Sequence, residues 1–344
     1  MNEREALLRA VCDNPDDDTP RLVFADWLQE NGEEARAEFI RVQIEIARGR
    51  ENSKLKKREQ ALLARHGERW SAPLRETGAP LVAFQRAAPQ CFQGIEYRRG
   101  FPYGVQFNEE KAEFAERAAE LFRCAPIQRI SFYYQWGYEK LAMCPELLRV
   151  RSLSLDRSGF DTPELAVFFR SKFLKRLTHL ELIADDDNSH VAPDGIELLS
   201  AARGLPALRH LDLSYNWCNW DYPDQASWVT ALLKGRLVER LESLWLRSTF
   251  LEDDGVEALS RSKRVRALRH LNLSGNSIGE RGLRALVSSL NLKSLEVLDL
   301  RYNRYDSETG TEVIGCTAEV RELLEARFGS GLLLDGDPEP HPLP

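Results

Sequence analysis

Three histidines, His179, His210 and His270, stand at one position of a repeated phrase, the first two beside Glu181 and Asp212. On adjacent strands such side chains lie about 5 Å apart, near enough for a zinc site or for general-base chemistry. The phrase Leu-Arg-His-Leu, at 208–211 and 268–271, explains the column by repetition alone, so neither role is assigned. The run Asp13-Asn14-Pro15-Asp16-Asp17-Asp18 offers oxygens to calcium. Pro15, and the lack of a glycine at the sixth position and a glutamate at the twelfth, defeat that loop geometry, and the run reads as a solvated turn. The six cysteines, none within four residues of another, form no metal knuckle or dithiol motif and read as reduced thiols in or near cores. No G-x-x-x-x-G-K-S/T, G-x-G-x-x-G or H-E-x-x-H occurs. No catalytic, cofactor-binding or metal-binding residue is assigned, and the chain reads as non-enzymatic.

The elements carrying the histidines are repeats. The unit L-x-x-L-x-L-x-x-N occurs at Leu208, Leu211, Leu213 and Asn216, at Leu268, Leu271, Leu273 and Asn276, and at Leu295, Leu298, Leu300 and Asn303. Looser copies are Ile127-Ile130-Phe132, Val150-Leu153-Leu155, Leu177-Leu180-Leu182 and Leu241-Leu244-Leu246, the last with Thr249 in the asparagine slot. From Phe132 to Leu300 six steps span 168 residues, a period of 28. That period holds a strand and a helix, and the unit resembles ribonuclease-inhibitor-like leucine-rich repeats. Alternating leucines enter the core, the asparagine serves backbone groups where the chain turns away, and a glycine-bearing turn opens each helix, as at Gly195, Gly255 and Gly282. One copy cannot bury its own apolar face, so the copies must stack.

Upstream, the first seventy residues read as helices. After the acidic turn, Thr19 is placed as N-cap with Pro20 at the first helical position, and Asn31-Gly32 ends that helix. Glu33 to Arg48 follows, with Ala37, Ile40, Ile44 and Ala47 on one face, and residues 54–66 make a basic fourth helix. The stretch Pro20-Arg21-Leu22-Val23-Phe24-Ala25-Asp26-Trp27-Leu28-Gln29-Glu30-Asn31-Gly32, followed by Arg36-Ala37-Glu38-Phe39-Ile40-Arg41-Val42-Gln43, resembles the repeat-companion domain found at the N-terminus of many bacterial repeat proteins. The resemblance covers about the first fifty residues. It implies repeats downstream, and that domain has no assigned activity to carry over.

The fold class expected is α/β: a leucine-rich-repeat solenoid, curved parallel sheet inside and helices outside, preceded by a small all-helical domain. The expected boundaries are a helical domain at 1–66, a linker at 67–91, an N-terminal cap or degenerate first repeat at 92–126, repeats at 127–316, a C-terminal cap at 317–334 and a disordered tail at 335–344. With 344 residues, 29% charged and 43% hydrophobic, two domains with sizeable cores are expected. The net charge of −7 argues against nucleic acid and anionic membranes, which want a basic face. No apolar run approaches the ~18 residues of a membrane span, and the acid-bearing start MNEREALLRA is unlike a signal peptide, so a cytoplasmic location is expected.

Stacked repeats align their strand positions as columns on the concave face. Between the second and third leucines the column reads Ser131, Ser154, Glu181, Asp212, Trp245, Asn272 and Asp299. One residue past the third leucine it reads Tyr133, Asp156, Ile183, Ser214, Arg247, Ser274 and Arg301, and one further on Tyr134, Arg157, Ala184, Tyr215, Ser248, Gly275 and Tyr302. Tyrosine, tryptophan and arginine among acids are the composition of a protein-binding surface. The repeat after Leu213 is long, 33 residues, and adds Trp217, Trp220 and Tyr222 in a loop, while Trp228 is assigned to the core. The loop aromatics either anchor a partner or cover their own repeat. The expected partner is therefore a protein, identity open, with no cofactor. The alternative role is regulation of a partner enzyme, GTPase-activator-like or inhibitor-like, through Arg157, Arg247 or Arg301.

Overall fold

The computed structural model describes residues 2–79, 81–82, 91–92, 94–108, 111–133, 137–156, 162–184, 190–216, 226–303, 317–335 and 337. The chain divides into two units, Met1–Leu153 and Ser154–Pro344.

In the first unit, Asn2 opens α1 (Glu3–Asp13) with a capping box shared with Glu5. The apolar faces of α1, α2 (Thr19–Glu30) and α3 (Glu34–Ala47) meet in a core of Val11, Phe24, Ala25, Leu28, Ala37, Ile40 and Ile44. The helix α2 starts at Thr19, one residue earlier than the sequence suggests, with Asp18 before it. Asn52 caps α4 (Ser53–Arg75) through the Lys54 and Leu55 N–H groups. Residues 67–75, expected as linker, are thus helical: Leu63, Gly67, Ser71 and Leu74 continue one buried face. Pro73 lies in the last turn, where only one backbone bond is forgone.

The strands β1 (Cys91–Phe92), β2 (Ile95–Arg98) and β3 (Phe101–Phe107) form an antiparallel meander, and β3 then pairs in parallel with β4 (Arg129–Tyr133) across α5 (Lys111–Cys124). The β2–β3 turn belongs to the helical core. Phe101 is part of the cluster above, its ring 5.8 Å from that of Phe24. Gly100 adopts φ +87°, and a Cβ there would come within 2.6 Å of Ile40 Cα, so only glycine fits. Its N–H donates to Gln43 Oε1 (2.6 Å), while Gln43 Nε2 donates to Glu59 and to the Tyr97 carbonyl.

The acidic run at 13–18 is not merely solvated. Asp13 pairs with Arg149, Asp16 with Arg151, and Asp18 with Arg48 and Arg99. Inside the turn, Arg21 is buried and donates to the carbonyls of Pro15 and Asp17. The helix α6 (Tyr138–Ala142) follows β4.

The strand β5 (Ser152–Asp156) contains the division between the units. Beyond it the second unit alternates strand and helix: α7 (Thr162–Phe168), β6 (His179–Glu181), α8 (Pro193–Ser200), β7 (His210–Asp212), α9 (Ala226–Lys234), β8 (Ser243–Trp245), α10 (Glu252–Arg261), β9 (His270–Asn272), α11 (Glu280–Ser288) and β10 (Val297–Asp299). From β6 to β10 the strands are parallel and in chain order. Leu180, Leu211, Leu244, Leu271 and Leu298 stand in one register, all at most 1% exposed. This unit is a leucine-rich-repeat α/β solenoid.

Asparagines tie neighbouring repeats together. Asn276 Oδ1 accepts from the Thr249 and Leu251 N–H groups, and its Nδ2 donates to the Leu246 carbonyl. Asn303 repeats this on the Asn276 and Ile278 N–H groups and the Leu273 carbonyl. Asn216 accepts from Val191 and donates to Leu182. Asp253 acts between repeats as well, accepting from the Gly279 and Gly282 N–H groups at the start of α11.

After α12 (Ala318–Phe328), β11 (Leu332–Leu333) pairs in parallel with β10. In the repeats of β7, β8 and β9 the second residue after the third leucine carries a left-handed backbone and donates to the next repeat: Tyr215 to the Arg247 carbonyl, Ser248 to the Ser274 carbonyl and Gly275 to the Arg301 carbonyl. In the last repeat Tyr302 donates instead to the Asp335 carboxylate (2.7 Å). Arg301 also reaches the Asp337 carbonyl. The beginning of the segment expected as a disordered tail is therefore an ordered part of the last repeat.

Candidate functional site

The leucines take one face of the repeat sheet, which leaves two rows on the other. One row is His179, His210, Ser243, His270 and Val297; the second is Glu181, Asp212, Trp245, Asn272 and Asp299. In the first row the rings of His179 and His210 stack at 4.0 Å. The Ser243 hydroxyl bridges His210 Nδ1 (3.0 Å) and His270 Nδ1 (3.1 Å). Burial holds the His210 imidazole below its ordinary range, assisted by His270 and Arg209 and opposed by Glu242. Among the described residues no three metal-ligating side chains converge.

The second row separates the expected binding residues into two groups. Asp212, Asn272 and Asp299 are buried, and each accepts from the N–H two residues later: Ser214 on Asp212, Ser274 on Asn272, Arg301 on Asp299. These are Asx turns that lead the chain out of the strand. Asp299 also takes both Nε and Nη2 of Arg301, a pair in which both side chains are almost fully enclosed. Arg301 is thus no exposed finger for another protein's active site. Asp212, Asp299 and Arg301 were expected on the basis of their columns to face a partner; their polar groups are used within the repeats, and the periodic i, i+2 spacing of Asx turns was the available signal.

Trp245 breaks the pattern. Its repeat has no Asx acceptor, and the Arg247 N–H turns to the Ser214 hydroxyl of the preceding repeat instead (3.3 Å). The indole stands half-buried between Asp212 and Asn272. Beside it lies a second feature. Tyr215 and Tyr302 occupy the left-handed position at φ 62° and 61°, where the two intervening repeats have Ser248 (φ 51°) and Gly275 (φ 69°). Few side chains with a large ring adopt that backbone. The guanidinium of Arg247 lies 5.6 Å from the Tyr215 ring centre and 5.8 Å from that of Tyr302. It spans the repeat of Ser274 and Gly275, whose small side chains leave room. Tyr215 is half-buried and Tyr302 is 38% exposed. Glu181 is half-buried at the other end of the row.

Of the other expected residues, Tyr134, Arg157, Trp217, Trp220 and Tyr222 lie outside the described residues, as does the side chain of Tyr133. Trp228 is in the core as expected, 3% exposed, its indole N–H on the Val191 carbonyl. Gly275-Asn276-Ser277-Ile278-Gly279 has the G-x-S-x-G spacing of a serine-nucleophile elbow. Ser277 does take a positive φ of 55°, but so does Phe250 (52°) one repeat earlier, and Asn276 is committed to the ladder, so the spacing is a repeat turn. Cys12, Cys124 and Cys144 are free. Burial pushes the Cys12 thiol up to about 12, and burial with Glu146 does the same to Cys144, which leaves neither as a nucleophile at neutral pH.

The leucine-rich repeat family profile matches residues 266–287, the repeat that carries β9 and α11. Among solved structures the chain is similar to a crystal structure of a protein from Bacteroides fragilis, at 13% identity, over 70% of this chain and 68% of that one, with a TM-score of 0.38. No curated protein matches the chain. No helix among the described residues is long and apolar enough to cross a membrane.

Proposed function

We propose that the protein is a non-enzymatic, cytoplasmic interaction scaffold that binds a protein partner on the polar face of its repeat sheet, through Trp245 and the Tyr215–Arg247–Tyr302 cluster. We also read its N-terminal helices as a repeat-companion domain, on the residues 20–32 and 36–43. The observation that carries the binding reading is the substitution pattern of the face. Where neighbouring repeats place a turn-forming Asp or Asn, Trp245 places an indole, and where they place Ser248 and Gly275 at the left-handed position, Tyr215 and Tyr302 place large rings around Arg247, on a backbone that is uncommon for such side chains. Aromatic and arginine side chains on a stacked-repeat sheet are the components of an interface hot spot. Asp212, Asn272 and Asp299 act as the rigid base, which limits the ordering cost of association.

Affinity capture from native extract with quantitative mass spectrometry tests this, comparing wild type with Trp245→Asn and Arg247→Ala. Asparagine at 245 restores the turn acceptor found in the neighbouring repeats, so thermal stability is expected to be kept. Loss of about 2 kcal/mol of binding, roughly 30-fold, is expected for the partner in each variant. A partner retained at wild-type affinity by both variants overturns the assignment to this face.

A further inference from the structure

The N-terminal unit carries a half-open cavity of about 930 Å³, bordered by α1, α2, α3, the start of β3, the end of α4 and the end of α5. That is the size of a small-molecule site. One wall is apolar, from Leu8, Phe24, Leu28, Trp70, Leu74 and Phe101. The rest of the lining carries six arginines against four carboxylates, a local positive excess in a chain of net charge −7.

Several of these arginines have carboxylate partners. Arg4 and Arg69 share Glu33, and Arg9 and Arg149 share Asp13. Arg36 differs. Its guanidinium lies over the ring of Trp70 (4.7 Å to the ring centre) and those of Phe101 (5.4 Å), Phe39 (5.7 Å) and Tyr97 (5.9 Å). Its Nη1 is buried with no hydrogen-bond acceptor among the described residues, and the Glu33 carboxylate, already shared by Arg4 and Arg69, acts on it electrostatically. Burial pushes its pKa down to about 10. Ring faces return only part of what a cation loses on leaving water. A planar guanidinium held flat by aromatic rings at the wall of a cavity is preorganised to receive an oxyanion in its fork.

We propose that this cavity binds a small organic anion, its carboxylate or phosphate paired with Arg36 and its flat apolar body against Trp70, Phe24 and Phe101. The competing account is that Arg36 is a cation–π staple between α3, α4 and the β2–β3 turn and binds nothing further. Fluorescence titration of the full chain separates the two, with 8-anilinonaphthalene-1-sulfonate as aromatic oxyanion and N-phenyl-1-naphthylamine as its uncharged relative. Saturable one-to-one binding of the anion is expected, weakened about tenfold in Arg36→Gln, with the uncharged dye bound alike by both proteins. Absence of saturable binding to wild type, or equal affinity of the folded variant, overturns the proposal. Should Arg36→Gln not fold, displacement from the wild type decides: benzoate displacing the dye where benzamide does not supports the site, and equal displacement by the two overturns it.

Discussion

Within each of the two units a different kind of polar contact holds the fold. In the repeats, one arrangement recurs: an asparagine bonded back to the preceding repeat, at 216, 276 and 303, and an Asx acceptor at 212, 272 and 299. In the N-terminal unit the fasteners do not repeat along the chain. Gln43 holds the Gly100 N–H and the Tyr97 carbonyl, and Arg21 gathers the Pro15 and Asp17 carbonyls of the acidic turn while Arg99 takes that of Asp16. A recurring contact confines the damage from its loss to a neighbouring pair of repeats, because stacked repeats couple chiefly to their nearest neighbours. A contact made once has no such containment.

Substitutions can break or sharpen that contrast. The largest effect is expected from Gly100→Ala, which forces a Cβ against Ile40 on a left-handed backbone. A loss of about 3 kcal/mol is expected in denaturant unfolding, spread through the whole N-terminal unit by hydrogen exchange. A loss confined to the β2–β3 turn would erase the distinction between the units. Next comes Asn276→Ala, which leaves the buried Thr249 and Leu251 N–H groups and the Leu246 carbonyl without this partner. About 2–3 kcal/mol is expected, with faster amide exchange restricted to the repeats of β8, β9 and β10. The smallest effect concerns His210. Its folded-state pKa lies below the ordinary 6.5, so below that pH the unfolded chain takes up the proton more readily. Stability of the repeat unit is then complete above about pH 6.5 and declines as pH falls through the lowered value. His210→Gln should flatten that acid limb; an unchanged pH profile would show that the imidazole does not contribute.

The repeat strands were legible because their leucines enter the core at fixed spacing, and the asparagine slot because one side chain must serve backbone on two repeats. The sequence marks 92–126 as a cap or degenerate first repeat, but not the burial of the Gly100-Phe101-Pro102 turn among helices, since nothing in a turn's own residues names the surface that receives it. The acids at 13–18 looked solvated because their arginine partners, at 48, 99, 149 and 151, are distant in sequence. β11 has two residues, too few to show any period, and Asp335 and Asp337 sit in a stretch whose glycine and proline resemble a tail. On the candidate face, aromatic composition singles out Trp245, Tyr215 and Tyr302 as partner-facing, and these side chains are half-buried or exposed. It could not tell Asp212 and Asp299, which are engaged in Asx turns, from acids that meet a partner, because the residue type is the same for either role.

Tyr215 and Tyr302 stand on a backbone that glycine adopts without strain, as Gly275 does between them. Conformational preference and surface chemistry therefore select opposite residues at one and the same position of the repeat. Glycine there would ease the chain and remove the ring; tyrosine keeps the ring and leaves the fold with a debt that the leucine core and the asparagine ladder must cover. Replacement of both tyrosines by glycine would yield a sturdier solenoid with a blanker face.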